Sequence, residues 1–251
     1  MKAEIKAKRS GLARILSKLG YCSRTEAAGL IRKGKVKVND RIIRDPEFPI
    51  SEPHPPITVN GISLKPASRV YYMIHKPKGV VTTRQDERGR KTVFDLFPPG
   101  FPRVFPVGRL DKESSGLLLL TNDTDWGNRI SAPESKVPKT YHVKLDRIVR
   151  EDDLASLRKG LKTEKTAYLP IIVKKIKENK KSSWAEITLR EGRNRQIRNM
   201  FDSLGYSVEI LVRIQIGRLP LGTLKPGEIR PISALEVKLL LDKKKPLILD
   251  S

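Results

Sequence analysis

One acid held between two bases carries the clearest chemical signal in this chain. Residues 104–123 read VFPVGRLDKESSGLLLLTND, placing Asp111 between Arg109 and Lys112 in a polar stretch with an apolar run on either side. An aspartate in a turn ordinarily bonds backbone amides. Flanking positive charge adds a second use, because it favours a carboxylate available as nucleophile or base. Two further stretches offer convergent groups: EGRNRQIRNMF (191–201) with Arg193, Arg195 and Arg198, and KTYHVKL (139–145) with Tyr141. Arginines often only coat a helix, and a strand tyrosine is most often core. The same side chains can also bind phosphate and stack on a nucleobase.

Other chemistries lack their residues. Cys22 is the only cysteine, so the chain can form neither an internal disulfide nor a multi-cysteine zinc site, which suits a reducing cytosol. His54, His75 and His142 show no metal-ligand spacing, so no metal is expected. GLIRKGKV (29–36) mimics a phosphate loop, but Val36 stands where the metal-binding Ser or Thr belongs and the stretch closes a helix.

The elements that must position these groups follow from pattern. Leu117–Leu120 form a continuous apolar run bounded by Gly116 and by Thr121, Asn122 and Asp123, the mark of a strand buried on both faces, although periodicity alone also fits a buried helix segment. The polar stretch before it is then an exposed turn on a rigid frame, where function tends to sit. Ala185, Ile187 and Leu189 alternate as a strand leading through Glu191-Gly192 into a helix, whose stripe of Ile197, Met200, Phe201 and Leu204 ends at Gly205. At about 100° per residue Arg198 falls on the margin of that stripe, in reach of a carboxylate, and Arg195 points away, towards phosphate or solvent. Tyr141, Val143 and Leu145 share one face of a strand. VYYMIHKPKGVVTT (70–83) reads as strand, turn and strand, 84–91 as a charged loop, and DKKKPLILDS as a frayed basic tail.

The 251 residues can bury a core without staples. Their formal charge of +23 calls for a polyanionic partner: nucleic acid, an anionic membrane or an acidic protein. No run approaches the ~20 apolar residues of a membrane span, and MKAEIKAKRS has no apolar signal core. The expectation is a cytoplasmic protein without a membrane partner. Basic density is greatest at the front, where residues 1–66 hold 14 basic and 6 acidic side chains. There Leu12, Ile15, Leu16 and Leu19 mark a short helix ending at Gly20, Ser23 and Glu26 have capping-box spacing for a second helix ending at Gly34, and KVKVNDRII reads as a hairpin turning at Asn39-Asp40. Arg14, Lys18, Arg24, Arg32, Lys33, Lys35 and Lys37 surround this module, so it is read as RNA-binding. A prolyl and glycyl stretch puts the boundary near 60–68, giving domains 1–66 and 67–251.

LARILSKLGYCSRTEAAGLIRKGKVKVNDRII resembles the S-four-type RNA-binding domain of ribosomal proteins. VGRLDKESSGLLLLTND, KTY and EGRNRQIRNMF, together with HKPKGVVTT and IGRLPLGTLKPGEIR, resemble the pseudouridine synthases that modify ribosomal RNA and carry such a module. Ser114-Ser115 and Arg218 depart slightly from the group's habits, away from catalytic positions. The resemblance implies an α+β chain: a small αα-hairpin RNA-binding domain, then a synthase domain with a central mixed, mostly antiparallel sheet flanked by helices. It further implies isomerisation of a ribosomal uridine, with the ERGRKTVFDLFP region leaning towards the large subunit and the RNA presented free or in a precursor particle.

By the same resemblance Asp111 is the essential carboxylate, attacking the sugar or taking its 2′ proton. Arg198 pairs with it, Tyr141 stacks on the base, and Arg109 holds the displaced strand or a phosphate, with Arg193 and Arg195 also on RNA. The isomerisation oxidises nothing and releases no group, so no cofactor is expected, and the chain is taken as a monomer. The rival reading is a non-catalytic RNA-binding or ribosome-assembly protein. A hydrolase would want a paired acid–base constellation.

Overall fold

The computed structural model describes residues 9–51, 53–65, 68–84, 86–163 and 166–241. It divides into two compact units, one of 1–70 with 122–124, the other of 71–121 with 125–251. The tail read as frayed lies outside the described residues.

In the first unit, β1 (Arg9–Gly11) leads directly into α1 (Leu12–Lys18), and α2 (Arg24–Arg32) follows. The capping box forms as its spacing predicts: Ser23 Oγ accepts the Glu26 amide at 3.2 Å, and the Glu26 carboxylate accepts the Ser23 amide at 2.7 Å. β2 (Val36–Val38) and β3 (Arg41–Ile43) make the hairpin, with Asn39 and Asp40 both at positive φ as its tight turn demands. Four strands were not read from the sequence: β1 itself and β4 (Pro49–Ser51), which pair with each other, and β5 (Ile57–Val59) and β6 (Ile62–Ser63), which extend the sheet to the order β3-β2-β5-β6. Prolines at 53, 55 and 56 mask that region as linker, yet Ile57 and Val59 are buried against Leu12, Ile15, Leu16 and Ile31. Tertiary packing outweighs the local signal.

The second unit is built on one nine-stranded sheet. Its members are β7 (Tyr71–Lys76), β8 (Phe105–Val107), β9 (Ser115–Thr121), β10 (Lys139–Leu145), β13 (Ile172–Glu178), β14 (Ser183–Leu189), β15 (Val208–Ile216), β16 (Leu219–Pro220) and β17 (Ile229–Pro231). A separate short pair, β11 (Leu161–Lys162) and β12 (Ala167–Tyr168), lies between β10 and β13 in the chain. The main path runs β13-β14-β10-β15-β9-β7-β17, with β8 paired to β9 and β16 to β15. All of its pairings are antiparallel except β15 with β9, so the sheet is mixed and mostly antiparallel. Helices α3 (Thr124–Ser131), α4 (Glu151–Lys159), α5 (Gln196–Asp202) and α6 (Ala234–Leu241) complete the α+β unit. None of the described helices is long and apolar enough to cross a membrane.

Two cores lie along this sheet. One joins Val143, Leu145, Ala185, Ile187 and Leu189 to Leu154, Leu157, Met200 and Phe201 of the helices; the other joins Met73, Leu117 and Leu119 to Trp126 and Ile130. Leu117 to Leu120 are all fully buried, so both sides of the strand are covered, which explains a run with no alternation.

The parallel β9–β15 seam is the tightest point of the unit. Gly116, at φ +107°, sits beside Arg213 in register, and a Cβ there would lie 2.2 Å from the Arg213 carbonyl oxygen. Only glycine permits both the backbone conformation and that approach. Gly116→Ala should therefore destabilise this unit by about 3 kcal/mol. Urea unfolding followed through Trp126 and Trp184, both in this unit, measures the loss.

Candidate active site

The two apolar runs that bracket Asp111 become neighbouring strands. β8 pairs antiparallel with β9, and residues 108–114 form the turn between them. That turn is fastened by its backbone. Thr82 Oγ1 donates to the Leu110 carbonyl at 2.8 Å and accepts the Leu110 amide at 3.3 Å. The Gly79 amide donates to the Lys112 carbonyl at 2.8 Å, Arg198 Nη2 to the Glu113 carbonyl at 2.9 Å, and Arg213 Nη1 to the Arg109 carbonyl at 3.5 Å. The carbonyls of the two residues on either side of Asp111 are thus held by β7's following loop, by α5 and by β15. The Asp111 carboxylate makes no hydrogen bond or ion pair with the described residues, so it does not act as a turn-capping aspartate. It is half-buried on a rigid loop and unspent.

Asp111 faces a cavity of about 390 Å³. Arg109, Ser114, Tyr141, Leu211 and Arg213 line it, as do Arg193, Arg195 and Ile197. The volume and the mixed apolar and cationic lining suit a nucleoside. Tyr141 packs on the larger core and also lines the cavity.

The arginine segment departs from the sequence reading in two ways. Helix α5 begins only at Gln196, and Arg195 is its N-cap in a left-handed conformation at φ +50°. Arg193 and Arg195 therefore belong to the turn before the helix, and a helical wheel does not place them. The buried Gln196 fixes that turn by donating to Glu191 Oε1 at 2.6 Å and accepting the Arg193 amide at 3.3 Å, while Arg193 pairs with Glu191 at 3.3 Å. Arg198 is on the helix, but it forms no direct ion pair with Asp111. Its guanidinium instead donates to the Val208 carbonyl at 2.7 Å and to Glu113. Burial and the nearby Arg195 charge lower its pKa, with Asp111 and Glu113 opposing them. Arg198 holds the loop by its backbone and influences Asp111 through space.

Three contributors escaped the sequence reading. Lys76, fully buried at the end of β7, donates to the carbonyls of Val80 at 2.6 Å and Pro77 at 2.9 Å. Burial drives its pKa down to about 8 against the pull of Asp111 and Glu113. Arg213 is 3% exposed, and its Nε donates to the Leu117 carbonyl at 2.7 Å. Thr82 is the third. A lysine closing YYMIHK and an arginine inside the ILVRI of VEILVRIQI are charges beside apolar strand runs, a signal that could have marked them. The charged loop is likewise organised over residues 86–90: Asp86 accepts the Arg88 and Arg90 amides and the Arg90 guanidinium.

The front-module bases lie in the first unit. Arg14, Arg24, Arg32, Lys33 and Lys35 are exposed and Lys18 is half-buried. Arg24 is engaged with Glu47 at 3.1 Å. Between exposed side chains such a pair is worth little and leaves Arg24 open to exchange partners.

Comparison with known proteins agrees with this architecture. Residues 70–203 match the RNA pseudouridylate synthase family and residues 10–53 the S4 domain, and the chain belongs to the former, an enzyme family. It is 37% identical over 231 residues to the ribosomal large subunit pseudouridine synthase B of Bacillus subtilis, covering 91% of this chain and 94% of the relative. An uncharacterized RNA pseudouridine synthase of Rickettsia felis is 40% identical over 230 residues, covering 88% and 96%. A crystal structure of a pseudouridylate synthase superposes with a TM-score of 0.65 at 30% identity, covering 92% of this chain and 99% of that one.

Thr82→Val keeps the side-chain shape and removes the hydroxyl that serves Leu110. The buried Leu110 amide is then left unpaired, at a cost of about 1–3 kcal/mol. Single-turnover kinetics should show a loss of about tenfold, with RNA affinity by filter binding unchanged.

Proposed function

We propose that this chain converts a specific uridine of ribosomal RNA to pseudouridine, with Asp111 as its essential carboxylate. The observation that carries this reading is the unspent Asp111 carboxylate, pinned by its neighbours' backbone at a nucleoside-sized cavity ringed with arginine. The large subunit as the source of the RNA is supported by the Bacillus relative.

The chemistry requires the C1′–N1 bond to break, the uracil to turn, and C5 to join C1′. Asp111 either attacks C1′ or takes the 2′ proton. Neither route needs a second carboxylate, unlike paired-acid glycoside hydrolysis. Arg198 holds Glu113 and thereby keeps Asp111 in place. Tyr141 stacks on the uracil, and Arg109, Arg193 and Arg195 meet displaced strand and phosphate. The target base leaves its stack at a cost of a few kcal/mol. Basic side chains of the S4 domain, Arg14, Lys18, Arg24, Arg32, Lys33 and Lys35, help to offset that cost by binding structured RNA. The protein acts in the cytoplasm as a monomer, on free RNA or a precursor particle.

Incubation with ribosomal RNA from cells lacking the protein, followed by chemical mapping of pseudouridine, tests this. Wild type should add one modified position in large-subunit RNA, and Asp111→Asn should add none at native RNA affinity. A modification surviving in Asp111→Asn overturns the assignment of the carboxylate. Absence of modification in both naked RNA and precursor particles, with RNA binding intact, favours the binding protein. Binding itself should weaken steeply with salt, log K falling by about 0.7 per phosphate neutralised on a single strand.

A further inference from the structure

We infer that Lys139 is a catalytic residue whose ammonium, together with the Arg213 guanidinium, stabilises the uracil anion released when the glycosidic bond breaks. The inference rests on the proposed isomerisation and adds a group for its leaving base, which Asp111 cannot serve.

Lys139 opens β10 and lines the same cavity two residues before Tyr141, on the same strand face. Its Nζ donates to the Val137 carbonyl at 3.0 Å, which leaves two protons to spare. No carboxylate among the described residues pairs with it. Across the β10–β15 ladder, Tyr141 stands in register with Arg213, whose Nη2 is buried without a hydrogen-bond partner. Two desolvated cations therefore share one pocket with no paired anion. Leu189, Ile197, Leu211 and Ile216 supply its apolar lining, which fits a flat ring better than a hydrated phosphate.

Such a site matches the charge that develops in the reaction. As C1′–N1 breaks, its electron pair stays on the base and spreads onto O2 and O4. Meanwhile the Asp111 carboxylate either bonds to C1′ or takes the 2′ proton from C2′. Donors already fixed where that charge appears stabilise the transition state more than the neutral uridine. Rebonding of C5 to C1′ breaks the Asp111–C1′ bond or, on the other route, returns the 2′ proton from Asp111 to C2′; the C5 proton is then lost while N1 gains one, so bonds and protons balance. Lys139 retains its own three throughout.

The state of Lys139 sets the pH range. Burial, reinforced by the Arg213 charge, lowers its pKa to about 8. Other charged groups around the cavity are Asp111 and Arg109 from the 108–114 turn, and Arg190, Glu191, Arg193 and Arg195 from the segment after β14. A lysine is charged below its pKa and loses the proton above it, so catalysis should fall as pH rises through about 8.

Single-turnover rates at saturating RNA, measured from pH 6.5 to about 9.5, test this with wild type, Lys139→Arg, Lys139→Met and Asp111→Asn, alongside RNA affinity and melting temperature. Lys139→Met should lose about 10²–10³-fold in rate at every pH below 8, bind RNA normally and show a shallower alkaline fall, the remainder belonging to Lys76, whose pKa is also about 8. Lys139→Arg should recover most of the rate and carry the fall to higher pH. An alkaline fall of equal depth and midpoint in all active proteins, a methionine variant that weakens binding without slowing the bound complex, or an arginine variant as slow as the methionine one would each overturn the inference. A dead Asp111→Asn with a normal Lys139→Met would sink this inference alone; an active Asp111→Asn would sink the reading on which it rests.

Discussion

The close approach of Gly116 to Arg213 organises the catalytic unit. β9 and β15 form the only parallel pairing in the described sheet, and they meet where one strand has no side chain and the other turns a guanidinium inward. That guanidinium bonds Leu117 in β9 and Arg109 in the turn before it, so a single buried arginine ties the seam to the loop bearing Asp111. A buried cation held through two of its nitrogens by carbonyl oxygens is costly to desolvate but well suited to fixing a geometry. Here the geometry is that of a carboxylate that must not move and must not be spent.

The site separates restraint from reactivity. Residues 109, 110, 112 and 113 are each gripped through the main chain, by Arg213, Thr82, Gly79 and Arg198 respectively. Had any of these arginines closed a salt bridge on Asp111, its lone pairs would be engaged by a partner that substrate would have to displace. Holding the carbonyls instead positions the acid while leaving both oxygens open. Lys76 adds positive potential from behind, also with its ammonium committed to carbonyls.

Much of this was legible in the sequence where local rules and tertiary demand agree. The capping box at Ser23 and Glu26, the Asn39-Asp40 turn and the fourfold leucine run each follow from short-range chemistry, and each has its expected place. Ile57 and Val59 were hidden because prolines nearby signal a linker and only contacts with distant helices reveal a strand. Arg195 was misplaced for a different reason: Gln196, by bonding back to Glu191 and the Arg193 amide, favours a left-handed turn over an earlier helix start. The Arg198 partner could not be read at all. Spacing put it on the margin of the apolar stripe, yet the choice between carboxylate and carbonyl depends on how the 108–114 turn folds over it.

Charge in the interior ties these observations together. Lys76 and Arg213 are withdrawn from water and Lys139 partly so, in a unit whose surface already carries ample base, so binding RNA by general attraction does not require them. Their desolvation is a stability cost that the fold meets with carbonyl contacts. Such cations become useful when negative charge arises among them, and a glycosidic bond breaking over Asp111 creates that charge on the departing base. Surface arginines can draw the RNA in; the buried cations are suited to act on the anion formed there.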